Sequence, residues 1–135
     1  MWAERIKIAE SKGMELLVQP TLERWFTAPY RAAQPDQMKR IGAMIRATPV
    51  PGYVGCCQAI PKLNLTARLK DIKVPALVLV GDQDAGTPPA MAQAIHENLP
   101  GSDLEIIVSA SHLSNVEQPE AFDRALTAFY NRIKA

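Results

Sequence analysis

Two stretches of the chain carry side chains able to do acid–base chemistry. They are Gly81-Asp-Gln-Asp-Ala-Gly-Thr-Pro-Pro89 and Ser109-Ala-Ser-His-Leu-Ser-Asn-Val-Glu-Gln-Pro119. A carboxylate from the first can accept the Nδ1–H of His112 from the second. That bond fixes the imidazole tautomer and stabilises the imidazolium formed when Nε2 takes a proton. Taken singly, an Asp in a glycine-containing turn does local hydrogen bonding, and a lone histidine followed by leucine is structural. Taken together, in the order acid then histidine and each directly after an apolar β-branched run, Asp84 and His112 read as two members of a nucleophile–histidine–acid triad. On residue type alone Asp82 competes with Asp84 for the acid's place.

The third member is missing from the pattern. The serines are Ser11, Ser102, Ser109, Ser111 and Ser114, and none has the glycine two places before it that a Gly-x-Ser-x-Gly elbow requires. Ser111 and Ser114 flank the histidine and read as hydrogen-bonding residues of its loop. Gly55-Cys56-Cys57-Gln58-Ala59 lacks the second glycine and lies on an expected helix, so the cysteines read as small buried apolar residues. Their adjacency also makes a mutual disulfide strained. His96 sits on a polar helix face without a partner at metal-ligand spacing, so no metal site is expected. Trp2, Met14, Leu17, Met38 and Met44 read as core, and Arg24 as a solvated helix-end residue.

The elements that must position these groups change character near Lys73. Residues 1–72 hold only helical runs: Trp2 to Leu17, Pro20 to Phe26, Pro35 to Arg46, Tyr53 to Pro61 and Leu65 to Ile72. Pro20 and Pro35 suit first-turn positions, and residues 47–52 are a break. Residues 73–135 alternate: a strand over Ala76 to Val80, a helix over Pro88 to Leu99, a strand over Leu104 to Val108, and a final helix over Glu117 to Lys134. Strand, crossover helix, strand is a βαβ unit, so the two strands should be parallel and buried. The acid and the histidine then leave the carboxyl ends of neighbouring strands, where ligands gather in open α/β sheets.

Bulk properties narrow the partners. A formal net charge of +1 with no basic run gives no footprint for nucleic acid. The longest apolar stretch, Ala76 to Gly81, is far short of the roughly 20 residues of a bilayer span. With no signal-peptide pattern after Met1, a soluble cytoplasmic protein is expected.

Gly81-x-x-Asp84 followed by Pro88-Pro89, then His112 followed five residues on by Glu117 and two further by Pro119, resembles the C-terminal signature of the α/β-hydrolases. Arg24-Trp25-Phe26-Thr27, Gly52-Tyr53-x-Gly55-Cys56-Cys57-x-Ala59, Thr87-Pro88-Pro89 and His112-Leu-Ser-Asn-x-Glu117 are similar to the 3-oxoadipate enol-lactonases, hydrolases of the β-ketoadipate pathway of aromatic catabolism. The likeness runs through essentially the whole chain. It implies an α/β fold in which residues 1–72 end a helical cap, or lid, and residues 73–135 supply the last two parallel strands of the hydrolase core with their helices. It implies hydrolysis of a small lactone or ester without metal or organic cofactor. Asp84 would be the triad acid, favoured over Asp82 by the family's Gly-plus-three spacing. His112 would be the general base and Trp25 a cap residue near the substrate.

Two parallel strands do not make a stable sheet by themselves. The sequence therefore reads as an incomplete hydrolase, nearly inactive alone, that works with a missing N-terminal half. The competing expectation is a non-catalytic remnant that forms homo-oligomers through an exposed sheet edge.

Overall fold

The structure is a computed structural model that describes residues 1–134. Glycine and proline set several helix ends, though not always where their spacing suggests. The expected first helix, Trp2 to Leu17, is two: α1 (Trp2–Lys12) stops at Gly13, whose φ of 71° favours a residue without Cβ, and α2 (Glu15–Trp25) follows. Because α2 begins before Pro20, that proline lies inside the helix instead of in its first turn. It forgoes the hydrogen bond to the carbonyl four residues back. Burial of Leu17, Val18, Thr21 and Leu22 on the same helix offsets the cost.

A short helix, α3 (Ala28–Ala33), has no counterpart in the sequence reading. Next comes α4 (Pro35–Ala47), with Pro35 in its first turn as expected. In α5 (Val50–Ala59) the helix starts ahead of Tyr53, since Pro51 also fits a first turn. Ile60–Lys62 and Thr66–Asp71 form tighter 3₁₀ turns, the second in place of the α-helix expected over Leu65 to Ile72.

The chain divides into two compact units. One comprises Met1–Glu23 and Ala28–Asn64; the other comprises Arg24–Thr27 and the chain from Leu65 onward. The first is helical, with Ala9, Met14, Leu17, Val18, Leu22, Ile41, Ile45 and Cys57 buried. The expected apolar cluster is only partly internal, because Met44 is 61% exposed and Trp2 and Met38 are half-buried. The expectation that both cysteines are buried holds for Cys57 alone: Cys56 is exposed, because neighbours on a helix point in different directions.

The second unit carries β1 (Ala76–Gly81) and β2 (Ser102–Ile107), joined through α6 (Pro89–Asn98). The strands pair in parallel, Ala76 opposite Ser102 and Gly81 opposite Ile107, as the strand–helix–strand pattern requires. Beyond β2 the expected single helix from Glu117 is interrupted at Gln118, giving α7 (Ser114–Glu117) and α8 (Pro119–Lys134). Proline at the start of α8 explains the break: it opens a helix readily and cannot continue one from the preceding turn.

The strands are less covered than their composition suggests. Val80 and Gly81 are buried in β1, Ser102 and Ile107 in β2, and the rest are half-buried or exposed. Each described strand has a single partner, so its faces and outer edge are incompletely packed. Burial in β1 lies at the carboxyl end, and beyond β2 it resumes at Ala110 and Ser111; that end carries the candidate chemistry.

Candidate active site

Gly81 ends β1 where the two post-strand loops converge. A Cβ there would lie 2.3 Å from the carbonyl oxygens of both Ala110 and Ser111, so only glycine admits the approach. The loops are then laced together. Asp82 N–H donates to Ile107 O at 3.0 Å and Gln83 N–H to Ala110 O at 2.9 Å. Ala110 N–H donates to Asp82 Oδ1 at 3.2 Å. Asp82 thus ties one loop to the other, while Asp84, two residues on, reaches the histidine.

Asp84 is 4% exposed, and both its oxygens are occupied. Oδ1 accepts the N–H groups of Gly86 and Thr87 at 2.8 and 2.9 Å. Oδ2 accepts the Thr87 hydroxyl at 2.7 Å and lies 2.7 Å from His112 Nδ1. Burial is the largest single influence on this carboxyl and pushes its pKa up. The donors from Thr87, His112 and Gly86 together outweigh it and hold the pKa below its ordinary value. Asp84 is thereby kept as an acceptor. A carboxylate can only accept, so the proton of the neutral imidazole sits on Nδ1 and the lone pair on Nε2. Thr87 Oγ1, 3.3 Å from Nδ1, braces the same nitrogen.

The His112 side chain is 37% exposed, accessible enough to meet another molecule. Its ring stacks against Trp25, the last residue of α2, with centroids 6.2 Å apart and planes 22° from parallel. Leu113 N–H donates to Trp25 O at 3.2 Å. Ser111 Oγ donates to Arg24 O at 3.0 Å, with Gln83 O at 3.4 Å. Glu117, 5% exposed, accepts the backbone N–H and hydroxyl of Thr27 and the N–H of Ser111.

The structure therefore brings Asp84, His112 and Trp25 together. Ser111 turns its hydroxyl to main-chain carbonyls, and Cys56 and Cys57 belong to the helical unit. His96 lies apart, with Nδ1 2.9 Å from Ser102 Oγ. Sequence reasoning missed two contributors, Thr87 and Glu117. Both stand inside recognisable motifs, Thr87-Pro88-Pro89 and the glutamate five places after the histidine, but residue type and spacing assign neither a task.

A hydrogen-bonded carboxylate and imidazole on loops at the carboxyl ends of adjacent parallel strands, with a following helix, make this chain the C-terminal half of an α/β-hydrolase fold. Its relatives narrow the likeness. The chain is 33% identical over 131 residues to 3-oxoadipate enol-lactonase 2 of Acinetobacter baylyi, covering 97% of this chain and 49% of that protein. It is 29% identical over 133 residues to 3-oxoadipate enol-lactonase 1 of the same organism, covering 98% and 50%. Among solved structures, the enol-lactonase from Burkholderia xenovorans LB400 superposes with a TM-score of 0.93 at 33% identity, over 97% of this chain and 50% of that one. The chain thus spans about half the length of the curated relatives it matches. No protein-family model matches it. Among the described residues, no helix is long and apolar enough to cross a membrane.

Proposed function

We propose that this chain supplies the acid–base half of a lactone or ester hydrolase of the 3-oxoadipate enol-lactonase type. The observation that carries the reading is the Asp84–His112 bond at 2.7 Å, with the carboxylate locked by three further donors. His112 Nε2 takes the proton from a nucleophilic hydroxyl as its oxygen attacks the carbonyl, and returns it to the leaving alkoxide or enolate. It then takes a proton from the water that attacks the acyl group and returns it to the nucleophile's oxygen, releasing the acid. Asp84 holds the ring and stabilises the imidazolium each time it forms. The hydroxyl and the oxyanion donors come from polypeptide other than residues 1–134, since no serine here has the elbow pattern. Trp25 borders the imidazole and contacts the substrate. Residues 1–72 act as cap segment, although Arg24–Thr27 and residues 65–72 group with the sheet unit, and residues 73–135 act as core, without metal or organic cofactor. Alone, the chain turns over little substrate.

The test is complementation: the chain is mixed with the N-terminal half of an enol-lactonase relative, and hydrolysis of an enol-lactone and of simple esters is followed. Activity should appear only with both halves. It should fall by about a thousandfold or more in H112A. Co-purified halves that hydrolyse nothing, or an H112A complex as active as the parent, would sink the proposal.

A second reading has one observation in its favour. The apolar residues Ala76 to Leu79 of β1 stay half-buried, and α8 leaves Leu126, Tyr130 and Ile133 at least 42% exposed. Copies could cover these surfaces mutually in a non-catalytic assembly. Light scattering separates the two: a folded monomer at micromolar concentration contradicts self-association.

A further inference from the structure

Glu117 performs no step in the proposed chemistry, yet it is 5% exposed and both its carboxylate oxygens are engaged. Oε1 accepts the Thr27 N–H at 2.9 Å together with the Thr27 hydroxyl, and Oε2 accepts the Ser111 N–H at 2.8 Å. Thr27 lies two residues after Trp25, and Ser111 directly precedes His112. One carboxylate thus joins two backbone segments far apart in sequence, and those segments carry the two stacked rings. The bonds from Leu113 N–H to Trp25 O and from Ser111 Oγ to Arg24 O close the same seam.

We propose that Glu117 is a positioning residue: it holds the Trp25 ring against the His112 ring and so sets the orientation of the imidazole. This deepens the reading of His112 as general base and rests on it for its importance to catalysis. The chemistry requires a carboxylate in particular. A backbone N–H points at each oxygen, and a backbone N–H can only donate. Glutamine has the same shape, but it would set its NH₂ against the N–H of Thr27 in one amide orientation and against that of Ser111 in the other. Either way one side of the seam is left with two donors facing each other. A role confined to filling space would be served by glutamine, so the isosteric change discriminates.

The stack can be observed directly, because Trp25 shifts the His112 ring protons through its ring current. The chain has two histidines, so its imidazole NMR spectrum holds two sets of signals, and H96N assigns them. The difference in His112 ring shifts between the parent chain and W25L measures the displacement due to Trp25. In E117Q more than half of it should be lost while the methyl region stays dispersed. T27A, which removes one of the two Thr27 donors, should lose part, and T27S should keep it all. A folded E117Q with the displacement intact would overturn the proposal. So would equal displacements in T27A and T27S, or a W25L chain with unchanged His112 shifts. Should E117Q fail to fold, the Thr27 pair decides. None of these measurements needs substrate or a second polypeptide, so their outcome is independent of the complementation result.

Discussion

Substituting Gly81 with alanine should separate the two loops that hold the candidate acid and base. The added Cβ would sit 2.3 Å from two carbonyl oxygens, those of Ala110 and Ser111. A relaxed carbon–oxygen contact is about 3.3 Å, so the loops must part by roughly 1 Å. Both obstacles are backbone, so no side-chain rotation relieves them. Ala110 O is also the acceptor for Gln83 N–H at 2.9 Å, and a retreat of ~1 Å carries that bond beyond hydrogen-bonding range. The Ala110 N–H bond to Asp82, already 3.2 Å, should go with it. Two hydrogen bonds at about 1 kcal/mol each, with about 1–3 kcal/mol of overpacking, give a loss of about 3–5 kcal/mol if nothing relaxes. Partial relaxation brings the expected value to about 2–4 kcal/mol, or a fall in Tm of roughly 10 °C. Thermal and urea unfolding followed by circular dichroism measure it. G55A is the control: a Cβ at that helical position meets nothing within 4 Å, and the change should stabilise by about 0.5–1 kcal/mol. A G81A protein as stable as the parent would refute the claim that backbone contact at Gly81 holds the loops together.

The remaining expectations concern Asp84 and its neighbour. Because the folded protein holds the Asp84 pKa below its ordinary value, the stabilisation it confers is complete above the ordinary carboxyl range. It drains away as the pH falls through the folded-state pKa. The stability gap between the parent and D84N should therefore be widest near neutrality and narrow below about pH 4 in urea titrations; a gap independent of pH would contradict the assignment. T87V removes the hydroxyl that Asp84 Oδ2 accepts at 2.7 Å. It should cost about 1–2 kcal/mol, while T87S stays within about 0.5 kcal/mol of the parent. Equal losses in both variants would mean that packing at Thr87, not its hydroxyl, matters.

The parts of the molecule legible in the sequence are those governed by short-range rules. The apolar β-branched runs before Asp84 and His112 announce strands, and the helix between them makes the strands parallel, which alone places both loops at one sheet edge. Pro35 marks a helix start because a first-turn residue needs no N–H partner. Pro20 misleads on the same rule, since burial of its neighbours Leu17, Val18, Thr21 and Leu22 carries α2 through it. Met44 misleads because an apolar side chain says nothing about which face of α4 turns inward; Ile41 and Ile45 take that face instead. Within the site, the Asp84–His112 pair follows from residue type and order. The tasks of Thr87 and Glu117 do not, since each depends on which atoms meet after folding. Glu117 in particular takes its donors from Thr27, and no local pattern relates positions so distant.

The grouping of Arg24–Thr27 with the sheet unit bears on how the chain can be dissected. Cutting after Asn64, where the helical unit ends, does not liberate a clean fragment. The piece beyond the cut would lack the carbonyl that receives Leu113 N–H, the carbonyl that receives the Ser111 hydroxyl, and both Thr27 donors to Glu117. Several polar groups buried or half-buried in the intact chain would lose their partners together, each at a cost of about 1–3 kcal/mol unless water reaches it. In circular-permutation terms, residues 28–64 are an excursion between two pieces of one structural unit. The smallest excisable acid–base fragment therefore keeps a tetrapeptide from far upstream, and a linker replacing the excursion must return the chain from Thr27 to Leu65.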